Sequence, residues 1–206
     1  MATLPMFPLG AVLFPHMPLQ LRVFEPRYAV MLSQMLRSGS TEFGVVLIER
    51  GQEVGGGEQR FGSGTVAQII DLKAQDQTLL LAARGTRRIE VSAWLEEVPY
   101  PQAEVSDLPE LAWEPALEGL RDRAERLVRR TLALASEFEQ ATWPPDIDLA
   151  DDPLAAAWQL AGIAPISSLD QVGLLTAGSL EELLTRVIEH TAAAAETLTA
   201  VWPDED

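Results

Sequence analysis

Cysteine is absent from this 206-residue sequence, which excludes disulfide bonds, thiolate metal sites and cysteine nucleophiles together. Histidine occurs only at His16 and His190, and lysine only at Lys73. His16 lies among prolines and apolar residues, and His190 lies within a helical pattern. Neither accompanies a Gly-x-Ser-x-Gly turn or a carboxylate at metal-ligand spacing, so no catalytic triad, metal centre or cofactor is expected. No apolar run approaches the roughly 18 residues needed to cross a bilayer. The start, Met1 to Phe14, is apolar, but Pro5 and Pro8 break it and no basic residue precedes it. It reads as folded chain rather than a signal peptide, with the cytoplasm the expected compartment and no membrane partner.

Positive charge is also scarce. Fifteen Lys and Arg face 31 Asp and Glu, for a net charge of −16. Residues 1–100 are near neutral, with nine basic and ten acidic side chains, so the excess falls in residues 101–206, with six and 21. An acidic half repels phosphate backbones, which disfavours nucleic acid as a partner.

What is present is apolar residue, 47 % of the chain and spread along it, enough for a sizeable core. The first hundred residues read as β. Phe43 to Ile48 suits a strand buried on both faces. Thr65 to Leu72 and Leu79 to Ala83 suit a hairpin turning through Lys73 to Gln77. Arg87 to Val91 and Ala103 to Val105 are further strands. One helix interrupts them, with Pro26 in its first turn and Tyr28, Met31, Leu32, Met35 and Leu36 on one face.

The second hundred residues read as helices. Leu117, Leu120, Ala124, Leu127, Val128, Thr131, Leu134 and Phe138 form one stripe over Ala116 to Ala141, with Asp122–Arg126 and Glu125–Arg129 as i,i+4 pairs and Pro144-Pro145 as the stop. Pro153 opens a second helix, with Leu154, Ala157, Trp158 and Ala161 on its apolar face and Gly162 closing it. Ser179 and Glu182 form a capping box before the last, whose stripe runs from Leu180 to Val201. The proline-rich segment Val98 to Pro115 divides the halves, giving units 1–110 and 111–206.

Two clusters invite chemistry. The glycine-rich stretch Gly51 to Gly64 lacks the Gly-Lys-Ser/Thr ending of a phosphate loop, so it reads as a mobile connection between strands. Arg84, Arg87 and Arg88 form the densest basic group of the first half. They read as a solvated strand end paired with nearby glutamates, or as a contact to an anionic or polar group on a partner.

Taken in order, several segments resemble one family. Leu4-Pro5-Met6-Phe7-Pro8-Leu9-Gly10, Val12 to Pro15 and Val23-Phe24-Glu25-Pro26-Arg27-Tyr28 are similar to the opening of Lon protease N-terminal, substrate-binding domains. Phe43 to Ile48, Glu53 to Gly57, Gly64-Thr65-Val66-Ala67, Gly85-Thr86-Arg87-Arg88, Pro99-Tyr100, Ala157 to Ala161 and Pro165-Ile166 through Leu174-Leu175 continue the likeness.

The resemblance implies an α+β fold: a PUA-like twisted β-barrel holding one early helix, its first prolines shaping an edge strand, followed by a C-terminal helical bundle. It implies a stand-alone, non-catalytic binding module without the family's ATPase and peptidase parts. Unfolded or extended polypeptide segments would be its partners, or a separate Lon protease or other protein, with the chain acting as adaptor or holdase. A groove between barrel and bundle would bind at micromolar affinity or weaker through Met17, Tyr28, Gly55, Gly56, Arg87 and Arg88. The alternative is a small-ligand or RNA-binding PUA-like sensor, which would need a basic or aromatic face that this near-neutral, aromatic-poor half lacks.

Overall fold

The computed structural model describes residues 2–50, 59–76, 78–138 and 140–201. In chain order its elements are β1 (Ala2–Leu9), β2 (Pro18–Val23), α1 (Pro26–Ser38), β3 (Glu42–Arg50), β4 (Gln59–Gln75), β5 (Thr78–Trp94), β6 (Gln102–Asp107), α2 (Glu118–Glu137), α3 (Pro153–Ile163), α4 (Ser168–Leu175) and α5 (Leu180–Val201). The fold is α+β, with one six-stranded sheet and five helices. It divides into two compact units, Met1–Glu110 and Leu111–Asp206.

In the first unit the strands are ordered β2-β5-β4-β3-β1-β6, and β5 pairs with β6 as well. The pairings β5–β4–β3–β1–β6–β5 therefore form a closed circuit. β2 is attached outside it, along residues 79 to 84 of β5. β1 is not the edge strand expected from its prolines. It lies between β3 and β6 and divides its length between them. Ala2 to Pro5 run antiparallel to β6, and Met6 to Leu9 run parallel to β3. Pro5 and Pro8 thus each stand in one ladder only, where a missing N–H does least harm.

β4 and β5 are longer than the sequence pattern suggests. Lys73, Ala74 and Gln75 belong to β4, and Asp76 follows at φ 54° in the left-handed region that aspartate tolerates. The expected strands at 79–83 and 87–91 are one strand. Its register against β4 shifts where Thr86 and Arg87 oppose Val66, a bulge that bends it without ending it. Gly62 and Gly64, expected in a mobile connection, lie inside β4.

Alternation along β1 and β3 fills two cores. Leu4, Met6, Val46, Val66, Ile89, Ala103 and Val105 pack together on one side of the strands. Phe7, Phe43 and Val45 are buried too, and Phe7 stacks on Tyr28 of α1 with ring centroids 3.9 Å apart and planes 10° apart. α1 buries Tyr28, Met31, Leu32 and Met35, whereas Leu36 is exposed, and Gly39 closes it in the left-handed conformation.

In the second unit α2 packs along α5, α3 packs on both, and α4 lies against α3 and α5. α2 buries Ala124, Val128 and Thr131 of the expected stripe, with Leu132 and Ala135 beside them, while Leu120, Leu127 and Leu134 are half-buried. α2 ends at Glu137, before the proline pair. α3 is buried nearly all round, and the Asp152 carboxylate accepts its first-turn amide from Ala155 at 2.8 Å. Ser179 accepts the Glu182 amide at 3.1 Å, while the Glu182 carboxylate accepts from Gly178 rather than from Ser179 itself. Arg129 bonds Glu125 as expected and also donates to the carbonyls of Pro145 and Ile147, fastening the segment after α2; Asp122 is held by Arg121.

Candidate functional site

The residues expected to touch a partner do not share one surface. Tyr28 is buried in the stack on Phe7, with the Arg27 guanidinium 4.7 Å from its ring centroid on the other hand. Met17 is buried, and its carbonyl accepts the Gly85 amide at 2.9 Å while His16 donates to the Gly85 carbonyl at 2.8 Å. Arg88 is buried and donates to the Pro109 carbonyl; burial lowers its guanidinium below its ordinary value, a range that still leaves it charged at neutral pH. Arg87, one residue earlier at the bulge, is turned outward. It makes a two-pronged contact with Glu42 at 2.8 and 3.0 Å and another with Asp107 at 3.0 Å, tying β3, β5 and β6 together. The hydrogen bonds it donates to Glu42 raise the Arg87 guanidinium above its ordinary value, outweighing partial desolvation, with Asp107 adding to the rise. Gly55 and Gly56 lie outside the described residues.

The motif glycines have a packing reason. A Cβ at Gly85 would stand 2.1 Å from the Phe14 carbonyl oxygen, and one at Gly64 would stand 2.2 Å from that of Val45. Backbone passes directly over both positions, which any side chain would push away.

Two surface features escaped the sequence reading. The first is β2, which pairs with β5 and with no other strand among the described residues. Beside it lies a shallow concavity of about 360 Å³ floored by Leu80, Leu81 and Ala82, with Gln20 and Arg22 on one wall and Asp71 and Lys73 on the other. Ile70 and Leu80 are both exposed on this hairpin. The second feature is a charged knot. Glu97 accepts from Arg27 of α1 at 2.6 Å and from Arg60 of β4 at 3.0 Å, and Arg27 also bonds Glu25 at 3.1 Å. Neither feature has a local sequence signature, because each joins segments far apart in the chain.

Among the described residues no group of three or more His, Cys, Asp or Glu is placed to hold a metal ion, and no helix is long and apolar enough to cross a membrane. What the first unit offers is strand edge, exposed apolar side chains and paired charges, the equipment of a binding module.

The family model described as the ATP-dependent protease La (LON) substrate-binding domain matches residues 3–193, nearly the whole chain. The chain belongs to this family, whose substrate-binding domain is a non-catalytic module. Among solved structures, the Lon N-terminal domain protein from Xanthomonas campestris is similar at 27 % identity with a TM-score of 0.67, over 92 % of this chain and 98 % of that one. The N-terminal domain of Mycobacterium avium complex Lon protease shares the fold at 17 % identity and a TM-score of 0.61, over 93 % and 98 %.

Proposed function

We propose that the chain holds polypeptide segments in extended form, acting in the cytoplasm as an adaptor or holdase linked to proteolysis. In this reading the closed circuit of strands is a PUA-like barrel and the helices of residues 111–206 are a bundle. The observation that carries it is β2: a strand that among the described residues is bonded on one side only leaves a row of N–H and C=O groups to which an extended chain adds as a further strand. Main-chain bonding accepts many sequences, which suits a holder of unfolded chains. The exposed apolar Ile70 and Leu80 and the concavity above Ala82 add side-chain contact.

Of the residues named from the sequence, Arg87, which is turned outward, is kept as a direct contact to a bound segment, and Gly55 and Gly56 are kept as a contact of the glycine-rich segment. Met17, Tyr28 and Arg88 hold the surfaces that present it. An area this small gives micromolar or weaker affinity.

Fluorescence anisotropy of a labelled, permanently unfolded polypeptide titrated with the protein tests this, with folded polypeptide and RNA as controls. Saturable binding to the unfolded chain alone is expected, and it should weaken at least tenfold when alternate peptide nitrogens of a short binding segment are methylated. Equal binding of the methylated segment would remove strand addition as the mode, and no binding to any unfolded chain would remove the function.

A further inference from the structure

Glu97 is held in an unusual way for a side chain in a loop. Its two carboxylate oxygens are shared between two arginines from different elements, Oε1 with Arg27 at 2.6 Å and Oε2 with Arg60 at 3.0 Å. Each guanidinium lies over an aromatic ring, Arg27 over Tyr28 at 4.7 Å and Arg60 over Trp94 at 4.5 Å. Both are therefore oriented by the fold rather than by the carboxylate they meet. The arginine side chains are only 15 % and 10 % exposed, whereas that of Glu97 is 32 % exposed. The fixed half of the contact is cationic and recessed, and the carboxylate is its outermost member.

We propose that Arg27 and Arg60 form a receptor for a carboxylate on a bound polypeptide, and that Glu97 occupies it in the free chain. Exchanging one carboxylate for another keeps both charge-assisted hydrogen bonds, so the swap is close to neutral in contacts. Glu25 stays on Arg27 at 3.1 Å, and the departure of Glu97 removes one negative charge from beside both guanidiniums, which favours an incoming anion. Leu95 and Val98, exposed on either side of Glu97, offer apolar contact to the residue next to the incoming carboxylate. The ligand chemistry fits two sources, a polypeptide's C-terminus or an aspartate or glutamate side chain. Glu97 is then an internal competitor. If it fills the receptor about nine-tenths of the time, removing it tightens carboxylate binding about tenfold and leaves neutral peptides unchanged.

The inference rests on polypeptide being the ligand class, and the test separates the two ideas. Four labelled peptides of one apolar sequence are compared, with a free C-terminus, an amidated C-terminus, an amidated C-terminus with an internal Glu, and the same with Gln. They are titrated into the full chain and into Glu97→Gln, Glu97→Ser, Arg27→Gln and Arg60→Gln variants. Glu97→Gln and Glu97→Ser should each tighten one carboxylate peptide about tenfold, and which one responds names the source; either arginine variant should abolish the preference.

Side-chain Nε–H resonances of Arg27 and Arg60 give a readout independent of polypeptide binding, since acetate should move them in the Glu97→Gln chain. Unfolded polypeptide binding with no carboxylate preference and unmoved arginine resonances would overturn the receptor alone. Arginine resonances that answer acetate, with no polypeptide bound by any variant, would leave a carboxylate receptor and overturn the polypeptide reading.

Discussion

Replacing Gly85 by alanine adds one methyl group to the middle of β5, and the cost can be worked from the contacts around it. The new Cβ would stand 2.1 Å from the Phe14 carbonyl oxygen and 2.9 Å from its carbon, so the segment through His16 and Met17 must move away. That segment is fastened to Gly85 by two backbone hydrogen bonds, His16 to the Gly85 carbonyl at 2.8 Å and Gly85 to the Met17 carbonyl at 2.9 Å. Losing both costs about 2 kcal/mol, since each contributes about 1. Steric overpacking adds about 1–3 kcal/mol, and the stiffer unfolded chain returns about 0.4–1. The net loss is about 2–5 kcal/mol, which at a urea slope of about 2 kcal/mol/M lowers the midpoint of the first unit by about 1–2.5 M. Gly62, on the neighbouring strand, has no atom of the described residues beyond its chain neighbours within 4 Å of where its Cβ would be, so Gly62→Ala should be neutral or slightly stabilising. Urea unfolding combined with hydrogen exchange of the His16 and Gly85 amides reads both effects, and both amides should lose protection in Gly85→Ala alone. A folded Gly85→Ala chain within about 0.5 kcal/mol of the parent, with those amides still protected, would refute the close-approach argument.

Phe7→Ala removes one partner of the 3.9 Å stack on Tyr28 and leaves a cavity between β1 and α1; thermal and urea unfolding should show a loss of about 3–5 kcal/mol. Asp152→Ala strips the carboxylate that accepts the Ala155 amide and should cost about 1 kcal/mol of the second unit's stability, restored in large part by Asp152→Asn. Lys73, hydrogen-bonded to Asp71 at 2.6 Å, holds the Asp71 carboxyl below its ordinary 3.8, and the same bond holds Lys73 above its ordinary 10.5. Since the acid is depressed when folded, its small contribution exists above the unfolded value and disappears as pH falls through the folded one; the lysine's exists below 10.5 and disappears as pH rises through its folded value. An NMR titration of Asp71 should find a midpoint below 3.8 that returns toward 3.8 in Lys73→Ala and in about 1 M salt, and an unmoved midpoint would refute the pairing.

The arrangement of elements was largely legible because the signals behind it are local. Period-two and period-three-to-four patterns placed the early helix, the strand at 43–48 and the start of the last helix. The errors fall where tertiary structure decides. Long β4 looks shorter than it is because its polar outer ends alternate weakly, and β5 looks like two strands because the bulge at Thr86 and Arg87 interrupts the pattern. β1 looks like an edge because it carries prolines, yet switching partners between Pro5 and Met6 lets it sit inside the circuit. The expected stripe of α2 was too wide: its Ala124, Val128 and Thr131 are buried, its Leu120, Leu127 and Leu134 are only half-buried, and Leu132 and Ala135 complete the buried face.

The residues named as contacts from the sequence stand, where described, largely at positions that the fold itself demands. Tyr28, Arg88, Gly64 and Gly85 all stand in the motifs that carry the family likeness, and all four answer demands of the fold: a stacked ring, a buried guanidinium on a carbonyl, and two points where backbone passes over backbone. Such demands select one residue type and so leave a recognisable motif. A surface that must hold many different extended chains makes the opposite demand. A main-chain edge belongs to every residue type, and exposed apolar side chains such as Ile70, Leu80, Leu95 and Val98 are interchangeable in kind. A general polypeptide binder therefore writes its scaffold into the sequence more clearly than its site. The Arg27–Glu97–Arg60 knot is the exception in kind, because paired guanidiniums are chemically specific; it stayed hidden because its three members come from a helix, a strand and a loop that only the folded chain brings together.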